Sequence, residues 1–84
     1  MSMYNGYANY QTWNVCLWIS NDEMLYGLAQ RCESYERFKI FLREVFEHHP
    51  VRFETPDGVA WNDSGIELAE VEKYWEESFS QVEA

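Results

Sequence analysis

The stretch NYQTWNVCLWISND, residues 9–22, carries two tryptophans and no charge before Asp22, in a chain whose formal net charge is −9. Asn9 suits a helix N-cap, since its side-chain oxygen can accept a backbone N–H one turn on, and the pattern predicts a helix from about Tyr10 to Ile19. At about 100° per residue, Tyr10, Trp13, Cys16 and Leu17 fall on one side and Val15 and Ile19 nearly opposite, with Trp18 between. A helix apolar nearly all round packs at the centre of its domain with neighbours on more than one face. The stretch therefore predicts a central uncharged helix around which charged helices wrap.

Working outward, Ser20-Asn21-Asp22-Glu23 fits a capping box, with Ser20 as N-cap of a second helix. Its inner stripe is Met24, Leu25, Leu28, Ala29 and Cys32. Ser34 is the next expected N-cap, opening a third helix from about Tyr35 to His49 that presents Phe38, Phe41, Leu42, Val45 and Phe46 at helical spacing and is closed by Pro50. Thr55-Pro56-Asp57-Gly58 reads as a type I turn followed by a glycine suited to the left-handed position. With Val51, Phe53, Val59 and Trp61 on either side, a short β-hairpin is expected there. Ser64-Gly65-Ile66-Glu67 reads as a second capping box, after which Leu68, Val71, Trp75 and Phe79 form the inner stripe of a last helix. Residues 1–8 contain the turn signal Asn5-Gly6 and are expected to be irregular, and residues 80–84 to fray. The expected fold is mainly α: a compact four-helix domain spanning residues 1–84, with a short β-hairpin between helices three and four.

A chain of 84 residues buries only about 60% of the surface its unfolded state exposes, so its core must come from a few large side chains. Four Trp, six Tyr and five Phe supply them. Fifteen Asp and Glu against six Lys and Arg give an isoelectric point near 4.4. That balance disfavours direct binding to nucleic acid and to anionic membranes, both of which draw affinity from Lys and Arg. The N-terminal segment has no basic start followed by an apolar run, and a cytoplasmic location is expected. Cys16 and Cys32 stand at apolar helix positions and read as free buried thiols.

Candidates for chemistry are few. His48 and His49 diverge by about 100° on a helix and cannot chelate one ion as a pair, so they read as C-terminal helix charges facing the dipole. Glu44, Glu47, Glu54, Asp57 and Asp63 are carboxylates available for acid–base work, which would require one of them in an apolar pocket with a raised pKa. No glycine-rich phosphate loop, HExxH or GxSxG is present, and no cofactor or metal is expected. Trp61 either meets a partner from its loop or plugs the core. Tyr4, Tyr7 and Tyr10 recur at a spacing of three, either as an exposed interface patch or folded over the first helix. In the last helix Glu67, Glu70, Glu72, Glu76 and Glu77 stand against the single Lys73, and rows of carboxylates on a rigid scaffold imitate the charge spacing of a nucleic-acid backbone.

Residues 4–26, YNGYANYQTWNVCLWISNDEMLY, resemble a group of small uncharacterised phage and bacterial proteins, cyanobacterial ones among them, that open on Asn-Tyr-Glu-Thr-Trp-Asn-Val-Ala-Leu-Trp followed by Asn-Asp. Asn9, Tyr10, Thr12, Trp13, Asn14, Val15, Leu17, Trp18, Asn21 and Asp22 match, whereas Gln11 replaces the commoner Glu and Cys16 the commoner Ala. The resemblance implies no particular reaction. A phage or mobile-element origin fits small proteins that bind and disable host machinery. The leading expectation is thus a non-catalytic interaction protein, an inhibitor whose Trp61, Glu67, Glu70, Glu72, Glu76 and Glu77 occupy the basic groove of a host nucleic-acid-binding enzyme. The alternatives are a self-associating module built on Tyr4, Tyr7 and Tyr10, and, third, a small-molecule or metal-dependent enzyme.

Overall fold

A computed structural model describes residues 4–47 and 53–79. Among these residues four helices follow one another: α1 (Tyr10–Asn21), α2 (Glu23–Gln30), α3 (Tyr35–Phe46) and α4 (Leu68–Phe79). Asn9 caps α1 as its sequence position demands, its Oδ1 accepting from the Thr12 N–H at 2.9 Å. Ser34 does the same for α3 through the Arg37 N–H.

The junction of α1 and α2 falls two residues later than the Ser20 capping box implies. Asp22 joins the helices: its N–H closes α1 on the Trp18 carbonyl, and its carboxylate accepts from the Leu25 N–H to open α2. Ser20 remains inside α1 because its hydroxyl is engaged with the Tyr74 hydroxyl of α4 at 2.7 Å.

The core forms one cluster. Val15, Cys16 and Ile19 of α1 meet Leu25 and Ala29 of α2, Tyr35, Phe38 and Leu42 of α3, and Val71 and Trp75 of α4. The intervening loop adds Val59, Trp61 and Ile66. Helix α1 packs against α2 and α4, and α3 packs against the same two, so α1 shares the core with the other helices rather than forming the expected centre, and its Tyr10 is 39% exposed. Four expected stripe residues lie outside the core cluster: Phe41 and Val45 of α3 are only half-buried, while Met24 is 56% exposed and Leu68 46%. Met24 and Leu68 stand in the first turns of their helices, ahead of the point where Leu25 and Val71 reach the core, and Phe41 and Val45 flank the Phe38–Leu42 face that does so in α3. Of the third helix, residues beyond Glu47 lie outside the described ones.

Phe53 to Trp61 is a turn rather than the expected β-hairpin, with an isolated bridge between Glu54 and Ala60 and no strand among the described residues; Val51 lies outside them. The turn itself is as read: the Gly58 N–H reaches the Thr55 carbonyl at 2.8 Å, and Gly58 takes φ +90°, which costs glycine little. Pairing stops because side chains take the backbone's partners. The Thr55 hydroxyl oxygen accepts from the Asp57 and Val59 N–H groups, and the Trp61 carbonyl accepts from the Tyr35 hydroxyl at 2.5 Å.

The Ser64 capping box is likewise displaced. The Glu67 N–H is taken by the Thr12 hydroxyl of α1 at 2.9 Å, and that hydroxyl donates in turn to Asn9 Oδ1 at 2.7 Å. Asn9 also donates through Nδ2 to the Gly65 carbonyl at 2.6 Å. A Cβ on Gly65 would stand 3.1 Å from Asp63 Oδ1 and 3.2 Å from Gln11 Nε2, so this approach of loop to helix suits glycine. The start of α4 is thus fastened to α1 by residues 55 positions away.

Candidate functional site

Asn14 is fully buried in α1, where an unsatisfied carboxamide would cost about 1–3 kcal/mol. The turn at residues 55–58 satisfies it. Its Oδ1 accepts from the buried Thr55 hydroxyl at 2.7 Å, and its Nδ2 donates to Asp57 Oδ2 at 2.8 Å and more weakly to the Tyr10 hydroxyl at 3.4 Å. Trp18, two turns beyond Tyr10, donates its indole N–H to the same Asp57 oxygen at 2.9 Å. Two donors on one oxygen favour the ionised form, so the Asn14 bond first and the Trp18 bond second hold the Asp57 carboxyl below its ordinary value. Asp57 itself lies at the surface. The arrangement is a fixed, solvent-facing anion.

The Tyr10 hydroxyl, which shares the Asn14 amide with Asp57, leads to a group of aromatic rings. Tyr4, Tyr10 and Trp13 stand with centroids 4.8–5.7 Å apart, and Tyr4 and Tyr10 are 41% and 39% exposed. Tyr4 is brought over α1 by a tight turn in which Asn5 (φ 50°) and Gly6 (φ 91°) both have positive φ, and Tyr4 and Tyr7 exchange backbone bonds of 2.7 and 2.9 Å. Tyr7 leaves the patch and packs on the core, where burial chiefly pushes its phenol up to about 12. The three tyrosines therefore divide between both expected roles.

The carboxylates of α4 do not form one row. Glu70 accepts from the Ala8 N–H at 2.8 Å, and Glu72 from the Tyr35 N–H at 3.4 Å, so each fastens a neighbouring segment. Glu67, Glu76 and Glu77 are exposed. Trp61 belongs to the core at 1% exposure, edge-on to Phe38, and is removed from the set of surface residues. The chain returns inward directly after the turn, which its place beside polar Asn62 and Asp63 disguises.

For catalysis, the geometry supplies little. Asp57 is shifted down, opposite to what a general acid at neutral pH requires. Asp63 accepts from the Gly65 N–H at 2.7 Å, as a turn carboxylate does. Glu44 and Glu47 line an open groove of about 680 Å³ along α3, with Ile40, Arg43 and Phe53. Burial pushes the Cys16 thiol up to about 12 and raises that of Cys32, keeping both protonated. Both are free thiols, as expected. Among the described residues no group of three or more His, Cys, Asp or Glu is placed to hold a metal ion. His48 and His49 lie outside the described residues. No described helix is long and apolar enough to cross a membrane.

The residues that make the fixed anion, Asn14, Thr55, Asp57 and Trp18, escape sequence reading as a set. Their partners are 39–43 positions apart. The available signal was Asn14 itself, a polar residue between Trp13 and Val15 on a helix destined for the interior.

No curated protein and no solved structure matches the chain. The model of a family of unknown function (DUF7249) matches residues 1–83, and the chain belongs to that family.

Proposed function

We propose that the protein is a non-catalytic interaction module whose carboxylate-rich exterior engages a basic surface of a protein partner. In the fuller form of this reading it is a phage or mobile-element inhibitor acting in the cytoplasm, where it occupies the groove of a host nucleic-acid-binding enzyme. The observation that carries the reading is the charge of α4, whose sequence LAEVEKYWEESF sets Lys73 against four glutamates, in a chain of net charge −9. Glu67, Glu76 and Glu77 at the surface supply the field that would draw a cationic groove. Glu70 and Glu72 contribute to that field while holding the residues that position it.

The test is affinity capture from the native host followed by titration of the recovered partner at two ionic strengths. Screening shortens from about 30 Å at 0.01 M to about 8 Å at 0.15 M, so affinity should fall steeply between them. Affinity that is the same at both would overturn the proposal. A second reading, self-association through the tyrosine patch, is favoured by the exposure of Tyr4 and Tyr10. Sedimentation at several concentrations decides it, because a strict monomer removes it.

A further inference from the structure

We infer that Asp57 together with the rings of Tyr10, Trp13 and Tyr4 forms the anchor for an arginine side chain of the basic partner. The inference deepens the proposed function and rests on it, since it names where and by what chemistry the cation is taken.

Three observations carry it. First, the Asp57 carboxylate is held from behind. Asn14 Nδ2 and Trp18 Nε1 both donate to Oδ2, at 2.8 and 2.9 Å, while Oδ1 accepts no hydrogen bond among the described residues. A carboxylate ordered before its partner arrives loses less freedom on binding. Second, no Lys or Arg among the described residues pairs with Asp57. Lys39 is engaged with Glu36 at 3.3 Å and lies over the Tyr35 ring, and Arg43 lies over Phe53, all on or beside α3. Third, the tip of the aromatic group lies close to the carboxylate: one Asn14 nitrogen is 2.8 Å from Asp57 Oδ2 and 3.4 Å from the hydroxyl of Tyr10, whose ring packs with those of Tyr4 and Trp13.

Guanidinium is the cation this combination suits. Its plane lies flat on a ring while its edge donates to a carboxylate, whereas an ammonium is a compact and strongly hydrated point charge. The exposed rings also argue for a cation rather than an apolar partner, since a protein of net charge −9 attracts basic segments to any patch it presents.

Calorimetric titration with an amidated arginine–glycine repeat peptide, beside a lysine–glycine repeat of equal length and charge, tests the inference. The arginine peptide should bind about threefold or more tightly. Tyr10→Ala, at an exposed position, should cost about fivefold in arginine-peptide affinity while Tyr10→Phe keeps it, and Asp57→Asn should cost about tenfold. Thermal melts confirm that each variant is folded. Glu67→Gln combined with Glu77→Gln should weaken both peptides alike and leave the arginine preference in place. Equal affinity for the two peptides, or full affinity in Tyr10→Ala, overturns the anchor and leaves the proposed function standing. Absence of binding to either peptide at low salt overturns both. A dimer that Tyr10→Ala abolishes assigns the patch to a second copy and also overturns the anchor.

Discussion

Around Phe38 the interior is built of rings. Tyr35, Trp61 and Trp75 stand with centroids 5.3–6.1 Å from it. Around Asn14 it is built of hydrogen bonds, the Asn14 amide joining the Tyr10 and Thr55 hydroxyls to the Asp57 carboxylate that Trp18 also reaches, with a second set from Asn9 and Thr12 to residues 65–67. The first region is where the chain hides most apolar area, and its ring contacts have broad geometric tolerance. The second hides little area but accepts one register only, because each donor has one matching acceptor. Bulk stability thus rests with the rings, and the placement of the 54–67 segment on α1 with the polar seam. This division also explains the uncharged opening stretch: residues 9–22 supply both, with Val15, Cys16 and Ile19 turned to the core and Asn9, Thr12 and Asn14 to the loop.

The largest effect should come from the rings. Phe38→Ala is expected to cost about 3–5 kcal/mol, a large part of the roughly 5–15 kcal/mol typical of such domains, and denaturant titration measures it. Asn14→Ala should cost less, about 2–3 kcal/mol, by stranding the buried Thr55 hydroxyl and freeing the Asp57 carboxylate. If Asn14→Ala exceeded Phe38→Ala, the division of labour would be reversed.

The two buried indoles allow a finer cut. Trp75 donates to the Cys32 carbonyl at 2.9 Å, whereas the Trp61 N–H has no acceptor among the described residues. Trp75→Phe strands a carbonyl and Trp61→Phe removes an unpaired donor, so the former should be the more destabilising by about 1 kcal/mol in thermal melts.

The smallest effects separate the regions by pH. The Asp57 carboxyl sits below its ordinary value, so its contribution is present above that value and is lost as pH falls through the lowered one. The melting temperature of the wild type should exceed that of Asp57→Asn at neutral pH, and the gap should close below about pH 4. Tyr7 and Cys16 are pushed up to about 12, chiefly by burial in the ring-rich side. Their neutral forms are favoured in the folded state, so stability is full below the unfolded values and falls from about pH 9 towards pH 12. Tyr7→Phe should make that alkaline limb shallower, Cys16, Tyr35 and Tyr74 still contributing, and leave the acid limb unchanged.

Local signals were legible in the sequence. Asn9 and Ser34 cap the helices they were expected to cap, the Thr55–Gly58 turn forms, and Phe38 and Leu42 are buried. These depend on neighbours a few residues away. What escaped depends on distant partners: Ser20 looked like a cap until Tyr74 claimed its hydroxyl, and the Glu67 N–H passed over Ser64 for Thr12. Trp61 looked available for binding because its sequence neighbours are polar, yet the Phe38 ring and the Tyr35 hydroxyl draw its segment inward. The glutamates of α4 were legible as charge, but which of them are spent on backbone N–H groups depends on where Ala8 and Tyr35 arrive.

The most direct test of the polar seam is a double-mutant cycle on Asn14 and Thr55, with Asn14→Ala, Thr55→Val and the pair followed by denaturant unfolding. The 2.7 Å bond between the two side chains predicts a coupling energy of about 1–2 kcal/mol, the second substitution costing far less once the first is made. Free energies that add to within about 0.3–0.5 kcal/mol would contradict the claim that this seam sets the loop on α1.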